Sequence, residues 1–175
     1  MVPVGKRYTA ESGGWFQIAK RTPEQLVFER LVKPGKGRAD PHVHLDFVQT
    51  WECVNGDGFV DVDGKKREFT AGDRVELPLG TSHRDPYTRD REMVIRGIFE
   101  PVTDFLEAFA DALAHHYEHG TLNGQDEMPL IQIFAIIEAT GAESYRAGVP
   151  IAIQKAGLPL AVRLARMRGF RARYD

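Results

Sequence analysis

The chain has 175 residues, of which 42% are hydrophobic and 27% charged, a composition that excludes disorder as the main state. A net charge of −2 argues against a general nucleic-acid binder, and no apolar run reaches the roughly 18 to 20 residues that span a bilayer. The single cysteine, Cys53, excludes an intrachain disulfide, and because the N-terminus lacks the apolar segment of a secretory signal we expect a cytoplasmic protein.

Residues 1–101 are predicted to form short strands separated by turn signals. The predicted strands are Trp15–Ile18, Leu26–Val32, His42–His44, Val48–Val54, Phe59–Val62, Lys65–Phe69, Arg74–Leu77 and Met93–Phe99. Asp63 and Gly64 favour a tight hairpin, because both central positions of that turn take positive φ. Many short strands at this spacing predict an antiparallel sandwich or barrel.

Helical periodicity begins after residue 101. The predicted elements are a helix from Asp104 to about His119, a helix over Leu130–Ala139, helical first turns at Pro150 and Pro159, and a last helical segment from Leu160 to about Phe170. Thr103 can cap the first helix, and Gly120 and Gly141 follow the first two C-termini. We therefore expect residues 102–175 to form a helical extension that packs on the strands or on a second copy, in a homodimer.

Two histidines indicate a metal site in the strand-rich half. His42 and His44 are separated by one residue on a predicted strand, so both imidazoles face the same side. Two convergent imidazoles make half of a divalent metal site. His83 follows Pro78 and Gly80, a spacing that suggests a turn presenting this third histidine toward the sheet.

The segment around His83 resembles the second sequence motif of the cupin family. That motif is G-x5-P-x-G-x2-H-x3-N, and Gly72, Pro78, Gly80 and His83 match it at every spacing. Its final asparagine is replaced by Tyr87.

The segment around His42 resembles the first cupin motif. His42, His44 and Gly56 match that motif in order, whereas Gln49 occupies the position of the usual glutamate. The resemblance covers about residues 26–101 and implies a cupin-type antiparallel β-barrel, a double-stranded β-helix or jelly roll. It also implies one divalent metal ion held by His42, His44, His83 and Gln49.

The glutamine changes the expected chemistry of the metal. An amide oxygen can ligate a cation but adds no charge, so four neutral ligands would leave the ion its full positive charge. Such an ion favours an anionic or enolisable ligand. Imidazole serves several transition metals, so the sequence does not distinguish iron, zinc, nickel, manganese and copper.

Two acidic residues compete with Gln49 for the fourth ligand position. Glu52 lies three residues further along the same strand and therefore faces the opposite side. Asp46 lies in the predicted turn before that strand. A metal-free cupin is the remaining alternative.

Three further residues are candidate substrate contacts. Trp51 shares the face of Gln49, Tyr87 follows the third histidine, and Arg96 lies in an otherwise apolar strand, where its guanidinium could hold a carboxylate. The alternative for Trp51 is core packing, the alternative for Tyr87 is a place in a polar rim, and the alternative for Arg96 is an outward-facing surface position. Arg84 and Asp85, beside His83, are candidates for hydrogen bonds to the site or for a polar loop.

A second histidine cluster follows in the first predicted helix. His115 and His119 are four residues apart on one helical face, and His116 lies beside them. No fourth ligand is evident nearby, and histidines near a helix C-terminus interact favourably with its dipole. We favour this second explanation.

The sequence predicts a metal-dependent enzyme that acts on a small organic substrate. Dioxygenase-like oxidation is the first expectation, and cyclisation or isomerisation with a redox-inert metal is the second. A non-catalytic ligand-binding or sensory module is the alternative from another class.

Overall fold

A computed structural model describes residues 1–174 of the chain, which form ten strands and three helices. In chain order the elements are β1 (Arg7–Thr9), β2 (Trp15–Arg21), β3 (Leu26–Val32), β4 (His42–His44), β5 (Val48–Val62), β6 (Lys65–Thr70), β7 (Arg74–Leu77), β8 (His83–Tyr87), β9 (Met93–Glu100), α1 (Asp104–Glu118), α2 (Leu130–Thr140), β10 (Ser144–Arg146) and α3 (Ile151–Met167). The strand-rich half therefore precedes the helices, as predicted.

Strand β5 belongs to two antiparallel sheets. Its first half pairs with β9 and β7, and its second half pairs with β6 and β8. Sheet A has the order β1-β2-β3-β9-β5-β7, and sheet B has the order β6-β5-β8-β4-β10. The predicted fold class, mainly antiparallel β with C-terminal helices, is confirmed. Hydrogen bonding does not close the sheets into a barrel within residues 1–174, because the path ends at the three-residue strands β1 and β10.

The passage of β5 between the sheets corrects one sequence prediction. Val48–Val54 and Phe59–Val62 were expected to be separate strands, but β5 continues through Asn55 and Gly56 with a register shift between Cys53 and Asn55. Gly56 has φ +85°, and a Cβ there would lie 2.3 Å from the carbonyl oxygen of Glu92. The glycine thus allows a bend within one strand, rather than a turn between two.

Local signals set several boundaries as expected. Asp63 and Gly64 both have positive φ, and they join β5 to β6 as a hairpin. The Thr103 side chain accepts a hydrogen bond from the backbone N–H of Leu106 at the start of α1. Gly141 is left-handed at the end of α2.

The last helix differs from its prediction. Pro159 was expected in the first turn of a helix, but α3 begins after Pro150 and runs through Pro159. Proline costs helix stability because it removes a backbone donor, yet the helix continues for two turns beyond it. Strands β1, β8 and β10 were not predicted.

Helix α1 completes the core on the inner face of sheet A. Phe28 of this face lies 6.2 Å from Phe109 between ring centroids, and Phe16 lies 4.9 Å from Tyr117. These helix side chains bury the aromatic residues that the open sheet would otherwise expose. The division into a strand-rich unit, 1–101, and a helical extension, 102–175, stays a prediction.

Helix α3 keeps an apolar stripe on its surface. Ile153, Leu160 and Met167 are 62%, 65% and 75% exposed, at seven-residue spacing. None of the helices in the described part of the chain combines the length and apolar character that crossing a bilayer requires. The predicted homodimer stays a prediction.

Candidate metal centre

Three histidines from two neighbouring strands of sheet B meet at one point. His42 and His44 lie two residues apart on β4 and so share a face, and His83 begins β8 directly opposite His42. One nitrogen from each ring lies within 4.8 Å of the other two. The structure thus brings together the three histidines that the sequence singled out.

Each of the three rings is held by a hydrogen bond at Nδ1. The partners are the Asp40 carbonyl for His42 at 2.8 Å, the Ser144 hydroxyl for His44 at 2.6 Å, and the Thr81 carbonyl for His83 at 2.9 Å. A carbonyl only accepts, so Nδ1 of His42 and His83 carries the proton and the Nε2 lone pair is free. This is the arrangement in which histidines bind metals.

The environment keeps two of the rings neutral. Burial, with the neighbouring His42 and His83, holds the pKa of His44 well below its ordinary value. Burial and His42 also lower the pKa of His83, against the opposing effect of Asp85. Both imidazoles are therefore unprotonated at neutral pH, as ligation requires.

Gln49 faces His83 in a way that a cation would explain. Its Oε1 lies 2.9 Å from His83 Nε2, while its Nε2 is 3.4 Å from Asp85 Oδ1 and donates to it. Because the His83 proton is at Nδ1, two acceptor atoms face each other at this short distance. Two ligand atoms so spaced, each about 2.1 Å from a shared ion, subtend an angle of about 90° at it. The donor set therefore fits a divalent cation.

The two competing acidic residues lie elsewhere. Glu52 is on the outer face of sheet A, where it accepts hydrogen bonds from Arg74 and Arg96. The Asp46 carboxylate accepts from the backbone N–H of Glu143. Neither residue is among the side chains that could hold an ion with the histidines.

Asp85, a candidate either for hydrogen bonds to the site or for a polar loop, lies beside the histidines. Its Oδ1 lies 3.8 Å from His42 Nε2 and 4.0 Å from His83 Nε2. Residues 83 and 85 alternate on β8, so the carboxylate faces the same side as the third histidine. The centre therefore has an acidic group beside it, in addition to its neutral donors.

The structure separates the three predicted substrate contacts. Trp51 is buried on the inner face of sheet A, two residues from Gln49. The Tyr87 hydroxyl donates to Asp61, and Arg96 lies on the outer face in an ion pair with Glu29. Of the three, only Trp51 is placed beside a proposed ligand.

Gly97 makes room for the Trp51 ring. A Cβ at this glycine would lie 2.7 Å from Cζ3 of Trp51, which packs across the paired strand. We expect Gly97→Ala to lower the free energy of unfolding by about 1–3 kcal/mol through overpacking. Gly157→Ala, in open space on α3, is the matched control and should stabilise by up to about 1 kcal/mol. Urea unfolding measures both, and equal effects would contradict the packing assignment.

The second histidine cluster forms ordinary contacts. His115 and His119 stack at 4.1 Å between centroids, and His116 is buried in hydrogen bonds with Thr121 and Gln132. Within residues 1–174, His42, His44 and His83 are the only set of three or more His, Cys, Asp or Glu side chains close enough together to hold a metal ion.

Comparison with known proteins supports the fold. No family model and no curated protein matches the chain. The solved structure of KdgF from Halomonas sp. has a TM-score of 0.51 and 24% identity, over 58% of this chain and 92% of that one. An RmlC-like cupin from Shewanella frigidimarina has a TM-score of 0.49 and 20% identity, over 58% and 90% of the two chains. From the likeness to KdgF and the two motifs around the histidines, the chain has the fold of the cupin superfamily.

Proposed function

We propose that the protein is a metal-dependent enzyme that acts on a small organic anion at His42, His44, Gln49 and His83. The observation that carries this proposal is the convergence of three imidazoles whose Nδ1 atoms are already occupied. Rings fixed in this way are preorganised for ligation, since their orientation and tautomer are set before an ion arrives.

The neutral metal ligands and the nearby carboxylate have different roles in the proposed reaction. A divalent cation in this centre supplies Lewis acidity to a substrate oxygen, and its charge is not reduced by an anionic ligand. Asp85 orients the Gln49 amide through the hydrogen bond that it accepts. Its carboxylate is also positioned to take a proton from the carbon next to the polarised oxygen and to return it to a neighbouring atom.

This role of Asp85 favours proton-transfer chemistry, such as isomerisation or cyclisation, with a redox-inert metal. Dioxygenase-like oxidation was the first expectation from the sequence, and it stays a prediction because the same histidines also serve iron. Because of the carboxylate beside the centre, we place proton-transfer chemistry ahead of oxidation.

Hydrogen–deuterium exchange tests the proposal without knowledge of the natural substrate. We expect the zinc-loaded protein to exchange the C–H protons next to the carbonyl of small oxo acids in D2O, followed by proton NMR. Asp85→Asn should slow this exchange about 10²–10⁴-fold while zinc content is unchanged. Asp57→Asn, a surface carboxylate beside Arg91, is the matched control and should exchange normally.

Three outcomes would contradict the proposal in different ways. Equal exchange by wild type and Asp85→Asn would exclude Asp85 as the base. Absence of exchange in the zinc protein, with substrate-dependent oxygen consumption in the iron protein, would favour oxidation. Bound metal without turnover in either assay would favour a binding or sensory module.

A further inference from the structure

A buried ion pair joins β3 to the connection between α1 and α2 and has no role in the mechanism above. Arg30 on β3 faces inward with Phe28 and Val32, and its side chain is 8% exposed. Its Nη2 donates to Glu127 Oε1 at 2.9 Å, from the connection between α1 and α2. Burying a charged pair is costly unless its hydrogen bonds are satisfied, so this arrangement invites a functional explanation.

Two buried donors on this inner face have no acceptor. Arg30 Nε and Trp51 Nε1 make no hydrogen bond in the described part of the chain. The remaining buried atom of this kind, Nε of Arg21, lies 2.9 Å from the Glu107 carboxylate and is therefore neutralised. An unpaired buried donor costs about 1–3 kcal/mol, so two on one face indicate acceptor atoms that a ligand would bring.

The register of sheet A places both donors on the face that carries Gln49. Trp51 pairs with Gly97, and Gly97 pairs with Phe28, two residues from Arg30. Gln49 and Trp51 are two residues apart on β5, about 7 Å along the strand. The donors thus extend from the metal centre toward the ion pair.

Electrostatics connects Arg30 to the same space. Burial lowers the pKa of Arg30, but Glu127, Tyr117 and Asp85 outweigh it and raise the pKa above its ordinary value. Asp85 is in sheet B beside the histidines, so its charge reaches Arg30 across the gap between the sheets. Burial raises the pKa of Glu127, so this carboxyl adds at most one negative charge to the space. With a divalent cation bound, the positive charge of Arg30 and the ion therefore exceeds the negative charge of Glu127 and Asp85, which favours an anionic ligand.

We propose that Arg30 and Trp51 form a carboxylate subsite for the far end of a substrate whose other end reaches the metal centre. This inference rests on the proposed function and narrows its substrate class to molecules with a carboxylate in addition to the reacting oxygen. Arg30 Nη2 donates to Glu127 and, at 3.5 Å, to the Asp126 carbonyl, which leaves Nε without an acceptor. The indole N–H of Trp51 is a second donor without an acceptor. Both are N–H donors of the kind from which a carboxylate oxygen accepts a hydrogen bond.

Calorimetry with a matched ligand series tests this subsite. The probes are the linear dicarboxylates from malonate to adipate, each compared with the monocarboxylate of equal carbon number. We expect the zinc-loaded wild type to bind at least one dicarboxylate tenfold or more tightly than its monocarboxylate partner. Arg30→Gln combined with Glu127→Gln removes the ion pair without leaving a single buried charge, and should abolish this preference.

Two further variants control for folding and for charge. Trp51→Phe keeps most of the ring volume but removes the N–H, so it should reduce the preference several-fold even if the double variant fails to fold. Arg166→Gln combined with Glu138→Gln makes the same chemical change at the exposed pair between α2 and α3, and should keep it. A preference that survives in both Arg30→Gln/Glu127→Gln and Trp51→Phe would overturn the subsite.

The same titrations separate the subsite from the metal centre. If the protein binds zinc but binds dicarboxylates and monocarboxylates with equal affinity, the subsite is overturned and the metal proposal stands. Absence of zinc binding, with Arg30-dependent binding of dicarboxylates, would overturn the metal proposal and support the subsite.

Discussion

Replacing both His42 and His44 with alanine should abolish metal retention, from about one ion per chain to near zero. The double variant keeps only His83 and Gln49 as donors, and two neutral ligands do not hold a divalent ion through purification. Elemental analysis of protein purified without added metal measures the effect. The ring of His44 forms a hydrogen bond with the Ser144 hydroxyl on β10, and the double variant loses this tertiary contact. The unfolding temperature should therefore be recorded in parallel.

The control for this experiment is the histidine pair on α1. His115 and His119 also stack on each other, but no third ligand joins them among residues 1–174. His115→Ala combined with His119→Ala should leave the metal content unchanged. Loss of metal from this variant, with retention in the His42/His44 variant, would place the ion at His115 and His119 and contradict the proposed centre.

Replacing Gln49 with glutamate should tighten divalent-metal binding by at least about tenfold. A carboxylate adds a negative charge within bonding distance of the ion, and even a strongly screened interaction at that distance exceeds the 1.4 kcal/mol that corresponds to tenfold. The metal-free variant also gains repulsion from Asp85, whose Oδ1 is 3.4 Å from the Gln49 amide nitrogen. Competition with a chromophoric chelator measures the affinity.

Gln49→Leu is the matched variant for the glutamate substitution. It keeps a similar volume but removes the oxygen, so we expect weaker binding rather than tighter. If neither variant changes the affinity, Gln49 does not contact the ion, and the centre consists of the histidines with Asp85.

Much of the centre could be predicted because its signals are local. His42 and His44 alternate on one short strand, and the spacing of Pro78, Gly80 and His83 defines the turn that presents the third histidine. The hairpin at Asp63 and Gly64 is local as well, since positive φ at two successive positions restricts the turn type.

The remaining parts depend on pairing between distant segments. Asp85 lies in a polar segment that becomes a strand only by pairing with β4 and β5, so its orientation could not be taken from its neighbours in sequence. Ser144 reaches His44 through a three-residue strand that follows two helices. Arg30 and Glu29 are adjacent, and only the register with β9 decides that Arg30 faces inward.

Anomalous X-ray diffraction from crystals of the zinc-loaded protein tests the central claim most directly. The account predicts a single strong peak within bonding distance, about 2.1 Å, of the Nε2 atoms of His42, His44 and His83. A peak at another group of side chains, or no peak near these rings at full zinc occupancy in solution, would contradict it.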